Sequence, residues 1–149
     1  MKTIIAILYA HLVKRRNKKW IDNPIKWQTN TFKKLIKNGI KTEFGKNHDF
    51  ENIKSYDQYK EKVPVRDYEE LRPYIEKVVN GEKDILWPGK PLYFAKTSGT
   101  TSGAKYIPIT KESIKTHIRS ARDALLNYFL KTKNFKPLNG KHMFLQGSP

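Results

Sequence analysis

Apolar side chains recur at helical spacing along most of this chain, and turn residues punctuate the runs. Ile4, Ile5, Leu8 and Leu12 predict an amphipathic helix docked on a core through that stripe. After Asp22-Asn23-Pro24, with Pro24 suited to a first helical turn, Trp27, Phe32, Leu35 and Ile36 predict a second helix that stops at Gly39. Residues 42–50 read as loop. A short helix over 55–62 ends before Val63-Pro64, because the residue preceding a proline is pushed out of helical geometry. Asp67-Tyr68-Glu69-Glu70 has capping-box form. Pro73 is expected to divide this segment into a brief turn and a helix running to about Asn80, with Gly81 as the stop.

Residues 85–91 read as a rigid connection, and residues 92–96 and 106–109 as two short strands. Thr110 then caps the clearest helix, whose Ile114, Ile118, Ala121, Leu125 and Phe129 form one apolar stripe. Residues 135–140 read as loop and residues 142–146 as a buried strand. Trp20, Trp27 and Trp87 are expected to anchor cores. A strand followed only by Gly147-Ser148-Pro149 predicts a fold incomplete at the C-terminus, so residues 1–149 read as part of a larger domain. The class is α/β and helix-rich.

Composition narrows the function classes. A hydrophobic fraction of 38% against 30% charged residues is that of a globular chain, not a disordered one. The absence of cysteine excludes disulfides, thiolate zinc sites and a cysteine nucleophile, and it fits a reducing cytoplasm. The N-terminal apolar run is too short for a spanning helix, and it lacks an Ala-x-Ala cleavage site ahead of Lys14-Arg15-Arg16. The formal charge of +16 raises the question of a nucleic-acid or membrane partner. Residues 1–46 carry 12 of the basic side chains and 2 acidic ones, so the excess is concentrated there and reads as solvated helix faces. Neither nucleic acid nor membrane is expected as a partner. His11, His48, His117 and His142 lack metal-ligand spacing, and no metal ligand is expected among them. His48-Asp49 reads as loop structure rather than a general-base pair.

The stretch between the two strands carries the chemistry. Thr97, Ser98, Gly99, Thr100, Thr101, Ser102 and Gly103 form an unbroken run of hydroxyl residues and glycines, closed by Lys105. Such a run cannot build a core, but it can grip an anion. Glycines let backbone N–H groups curl inward, hydroxyls add donors and a lysine adds a point charge. Spacing excludes Walker A, because Ala104 stands where its second glycine belongs and Tyr106 follows the lysine. The dinucleotide pattern, the kinase glycine loop and the Gly-x-Ser-x-Gly hydrolase elbow are all absent.

Thr97 to Lys105 resembles the phosphate loop of the adenylate-forming superfamily, with Ser102 at a usual glycine and Ala104 at a usual proline. That variant, followed by Tyr106-Ile107-Pro108, looks like the Gretchen Hagen 3 family of acyl-acid amido synthetases, in its bacterial branch. Residues 42–50, 63–68, 85–89 and 144–149 resemble the same family's N-terminal region in the same order. The resemblance implies the N-terminal part of a large adenylating domain. It implies ATP-dependent activation of a small carboxylic acid, transfer of the acyl group to an amino acid amine, and magnesium with the ATP. Ser98, Thr100, Thr101 and Ser102 would supply hydroxyls, Thr97, Gly99 and Gly103 the loop backbone, and Lys105 the cation of the catalytic step. Groups for adenine, ribose, acid and amine would lie beyond residue 149, so residues 1–149 alone are expected to be inactive. The alternatives are an acyl-CoA synthetase-like adenylating enzyme and a basic phosphate- or nucleic-acid-binding module without catalysis.

Overall fold

The computed structural model describes residues 2–99 and 103–140. In chain order the helices are α1 (Lys2–Ile21), α2 (Pro24–Gly39), α3 (Glu43–Asn47), α4 (Tyr56–Lys62), α5 (Tyr68–Val79) and α6 (Lys111–Thr132). Strands β1 (Tyr93–Lys96) and β2 (Tyr106–Ile109) form one antiparallel pair, and 3-10 turns occupy Phe50–Asn52 and Lys136–Asn139. This is the helix-rich α/β class expected. Two compact units divide the chain, one from residues up to Lys26 together with those from Ser113 onward, the other from Trp27–Glu112.

In the first unit, Ala10 and Val13 of α1 pack with Leu126 and Phe129 of α6, flanked by Leu130, Phe135 and Leu138. Phe129 is fully enclosed, which contributes about 1.5–3 kcal/mol. The helix predicted at the N-terminus is present, but the expected face is outward. Ile4, Ile5, Leu8 and Leu12 are 64%, 66%, 62% and 65% exposed. The polar end of the pair decides the rotation. Arg16 and Asn17 both bond the Asp123 carboxylate, which Arg122 also holds. Turning the Ile4–Leu12 stripe inward would swing Asn17 away and strip partners from a largely hidden carboxylate. The stripe expected on α6 is corrected for the same reason: Phe129 is inside, Ile118, Ala121 and Leu125 are exposed, and Leu126 is buried instead. Ile5, Ala6, Tyr9, Leu125, Phe129 and Leu138 line an open apolar groove of about 410 Å³.

In the second unit, Ile36, Phe50 and Ile53 form a cluster joined by Phe32, Ile40, Phe44, Tyr59 and Val63. Helix α2 has its predicted bounds, but Trp27 and Leu35 are 47% and 49% exposed. Trp20, in the first unit, is equally outside at 48%, whereas Trp87 is half-buried with its indole N–H on Glu112. Trp20 and Trp27 therefore anchor no core in the chain described.

The loop expected over 42–50 is instead α3 and the turn after it. Thr42, 1% exposed, accepts the Gly45 N–H at 2.9 Å and donates to the Gly39 carbonyl at 2.7 Å. A Cβ at Gly45 would stand 1.9 Å from that carbonyl oxygen, so only glycine permits the close approach. Glu43 and Phe44 also give their N–H groups to the carbonyls of Asp84 and Ile85.

Helix α4 starts at its Ser55 cap and ends before Val63-Pro64, as expected. Helix α5 has both bonds of its capping box between Asp67 and Glu70. It is not divided at Pro73. A proline there removes a single ladder bond, while the capped first turn and buried Ile75 and Val78 hold the helix on either side.

Candidate phosphate-binding loop

The two strands pair from Tyr93 opposite Ile109 to Lys96 opposite Tyr106, and the hairpin continues one step beyond the ladder. The Thr97 N–H donates to the Lys105 carbonyl at 3.1 Å, and the Lys105 N–H donates to the Thr97 hydroxyl oxygen at 3.1 Å. These two bonds tie Thr97 to Lys105 at the ends of the glycine-rich stretch. Gly99 and Gly103 sit at φ +68° and +78°, a region that disfavours side chains. A Cβ on Gly99 would meet the Ala104 nitrogen at 2.9 Å, whereas one on Gly103 would meet nothing within 4 Å. Gly99 therefore packs the loop against itself, and Gly103 leaves its outer side open. Ser98 is exposed. Thr100, Thr101 and Ser102 lie outside the described residues, as does the strand expected over 142–146.

Lys105 is half-buried, with its ammonium 5.3 Å from the centre of the Tyr68 ring. Tyr68 is the first residue of α5, and its phenol oxygen accepts the Tyr106 N–H at 2.8 Å. Arg72, one turn along α5, places its guanidinium 6.0 Å from the same ring and pairs with Glu69. Sequence reasoning missed Tyr68 and Arg72. The capping box announces the helix start, but nothing local says that its first side chain meets a loop about 40 residues downstream.

The His48-Asp49 pair has a structural explanation. His48 is buried, stacked on Phe44, with Nδ1 2.7 Å from the Phe44 carbonyl oxygen and Nε2 2.8 Å from the Arg66 guanidinium. A carbonyl only accepts and a guanidinium only donates, so His48 is the neutral tautomer with its proton on Nδ1. Asp49 faces other partners. The bonds from Lys62, then Asn52, hold its carboxyl below the ordinary carboxylate value. Among the described residues no three His, Asp or Glu side chains gather as a metal site, and no helix is long and apolar enough to cross a membrane.

Comparison with known proteins places this loop in a family context. Residues 13–147 match the GH3 family N-terminal domain. The chain is similar to the probable indole-3-acetic acid-amido synthetase GH3.13 of Oryza sativa subsp. japonica, 37% identical over 76 residues, 48% of this chain and 16% of that protein. It is also similar to the jasmonoyl–L-amino acid synthetase GH3.5 of the same plant, 27% identical over 124 residues, 81% of this chain and 21% of that protein. A third relative, the indole-3-acetic acid-amido synthetase GH3.15 of Arabidopsis thaliana, is 40% identical over 62 residues, 40% of this chain and 10% of that protein. The chain spans about a fifth or less of the length of these curated relatives. They are plant proteins, and the bacterial branch expected from residues 102–105 finds no support in them. The match over residues 13–147 establishes that this chain belongs to the GH3 family, through its N-terminal domain.

Proposed function

We propose that the chain is the N-terminal part of an ATP-dependent acid–amino acid ligase, with residues 97–105 gripping the β- and γ-phosphates of ATP. One observation carries the reading: a hairpin loop closed by Thr97 and Lys105, with Gly99 and Gly103 at positive φ, lies inside the GH3-matched span. The relatives' names, amido synthetase and amino acid synthetase, support the ligase class.

The donor set suits a polyphosphate. Backbone N–H groups and hydroxyls from Ser98, Thr100, Thr101 and Ser102, with the Lys105 ammonium, can donate to phosphate oxygens. No carboxylate stands among these groups, so the ion would enter on the phosphates it neutralises. ATP supplies the activation: the acid's carboxylate oxygen bonds to the α-phosphorus as the bond to the β-phosphate oxygen breaks, releasing pyrophosphate. The amino acid nitrogen then bonds to the acyl carbon, AMP departs, and the amine gives up a proton. The loop's part is to offset the repulsion between two anions, hold the α-phosphorus in line and stabilise the departing pyrophosphate. An enzyme of this kind works in the cytoplasm, with a small acid and an amino acid as its partners.

The test uses the full-length protein, a panel of carboxylic acids and amino acids, and mass detection of products. An acyl-amino acid amide formed together with AMP and pyrophosphate supports the ligase. A coenzyme A thioester in its place identifies the acyl-CoA synthetase alternative. The isolated 149-residue chain is expected to form no adenylate.

A further inference from the structure

Lys105 sits beside an aromatic ring. Among the described residues no carboxylate pairs with its ammonium, although seven other ion pairs are formed. A carboxylate partner would neutralise the charge. A ring face holds a cation through its quadrupole and leaves the charge available to an anion. Tyr68 provides that face at 5.3 Å. The same side chain accepts the Tyr106 N–H at 2.8 Å, on the residue directly after Lys105. One tyrosine therefore contacts both the lysine head and the backbone that carries it.

Tyr68 is itself held. It is the first helical residue after the Asp67 cap, inside a capping box whose two bonds are both 2.9 Å. Helix α5 is anchored further along by buried Ile75 and Val78. Arg72 approaches the ring too, but its charge is shared with Glu69 at 2.8 Å. Of the two cations at the Tyr68 ring, Lys105 is the one with no carboxylate partner among the described residues.

We propose that Tyr68 is the positioning residue of the phosphate loop, its ring seating the Lys105 ammonium and its phenol oxygen fixing the strand that leaves the loop. This rests on the ATP reading above. Tyr68 touches no phosphate; it acts through Lys105 by reducing the conformational freedom the lysine must lose when the nucleotide arrives. Its loss should therefore appear mainly in the KM for ATP and vanish once Lys105 is gone.

The experiment is acid-dependent exchange of pyrophosphate into ATP by the full-length enzyme, in four backgrounds: parental, Lys105→Ala, Tyr68→Leu and the double variant. Tyr68→Leu should raise the KM for ATP about five- to tenfold. It should add less than about twofold to Lys105→Ala, as expected of coupled residues. Tyr68→Phe keeps the ring but loses the phenol oxygen, so its KM should fall between those of the parental enzyme and Tyr68→Leu. A shape-preserving series, phenylalanine with increasing fluorination at position 68, guards against loss of folding. Fluorine drains the ring face of negative charge, so KM should climb stepwise with fluorine count. Exchange indifferent to Lys105→Ala overturns the phosphate-loop reading itself. If Lys105→Ala slows exchange, two results overturn the Tyr68 proposal alone. One is an equal penalty for Tyr68→Leu in both backgrounds; the other is a flat fluorination series.

Discussion

Thr97 and Lys105 lock the mouth of the candidate loop through two hydrogen bonds of 3.1 Å, one between backbones and one from the Lys105 N–H to the Thr97 hydroxyl. The second bond depends on a side chain, so it can be removed alone. Thr97→Val should lower kcat/KM for ATP about fivefold in the full-length enzyme, as expected for one hydrogen bond of about 1 kcal/mol. Thr97→Ser should stay close to the parental value. Equal loss in both variants would show that the hydroxyl bond is not what matters.

The two loop glycines should respond unequally. Gly99→Ala combines φ +68° with a Cβ 2.9 Å from backbone atoms of Gly103 and Ala104. Gly103→Ala carries only the strain of φ +78°, in open space, about 1 kcal/mol. Pyrophosphate exchange should therefore fall at least tenfold more for Gly99→Ala than for Gly103→Ala. The reverse order would contradict the loop geometry.

Arg66 and His48 offer a test away from the loop. Replacing Arg66 by Met leaves the buried His48 Nε2, now 2.8 Å from the guanidinium, without its donor. Urea unfolding should report a loss of about 1–3 kcal/mol. Activity per folded molecule should be unchanged, since neither residue belongs to the phosphate loop.

How far the fold could be read from sequence depended on whether the signal was local. Pro24, Gly39, Ser55 and Gly81 each act within a few residues and mark boundaries where expected, as does the capping box of Asp67 with Glu70, although the helix that box opens runs on through Pro73. The hairpin around the loop was legible too, because short apolar runs flank an obvious turn sequence. Which face of α1 and α6 turns inward was not legible, because both faces of α1 carry apolar residues. The choice fell to Asp123 and its bonds with Arg16 and Asn17, more than a hundred residues away in sequence. Helix α3 was hidden by Gly45, a helix-weakening residue required there by the Gly39 carbonyl. Tyr68 beside Lys105 was equally invisible, since only tertiary packing joins them.

Asp123 should also set an acid limit on stability. Burial pushes its carboxyl up, but the bonds from Arg122, Arg16 and Asn17 outweigh it and hold the group below the ordinary 3.8. A folded value below the unfolded one means this stabilisation is complete above the unfolded value. It is lost as pH falls through the lower folded value. The unfolding midpoint should accordingly drop as pH falls below about 4, and Asp123→Asn should flatten that part of the profile. The variant should also be less stable near neutrality by about 1–2 kcal/mol. A profile that Asp123→Asn leaves unchanged would remove this carboxylate from the acid transition.

The most direct test of the central claim is acid-dependent exchange of labelled pyrophosphate into ATP, measured on the full-length enzyme with and without Lys105→Ala. The phosphate-loop account predicts exchange that requires a carboxylic acid and falls at least about tenfold on losing the lysine, with the unfolding midpoint unchanged. Exchange that proceeds at the parental rate without Lys105, or no exchange with any acid across a broad panel, would contradict it.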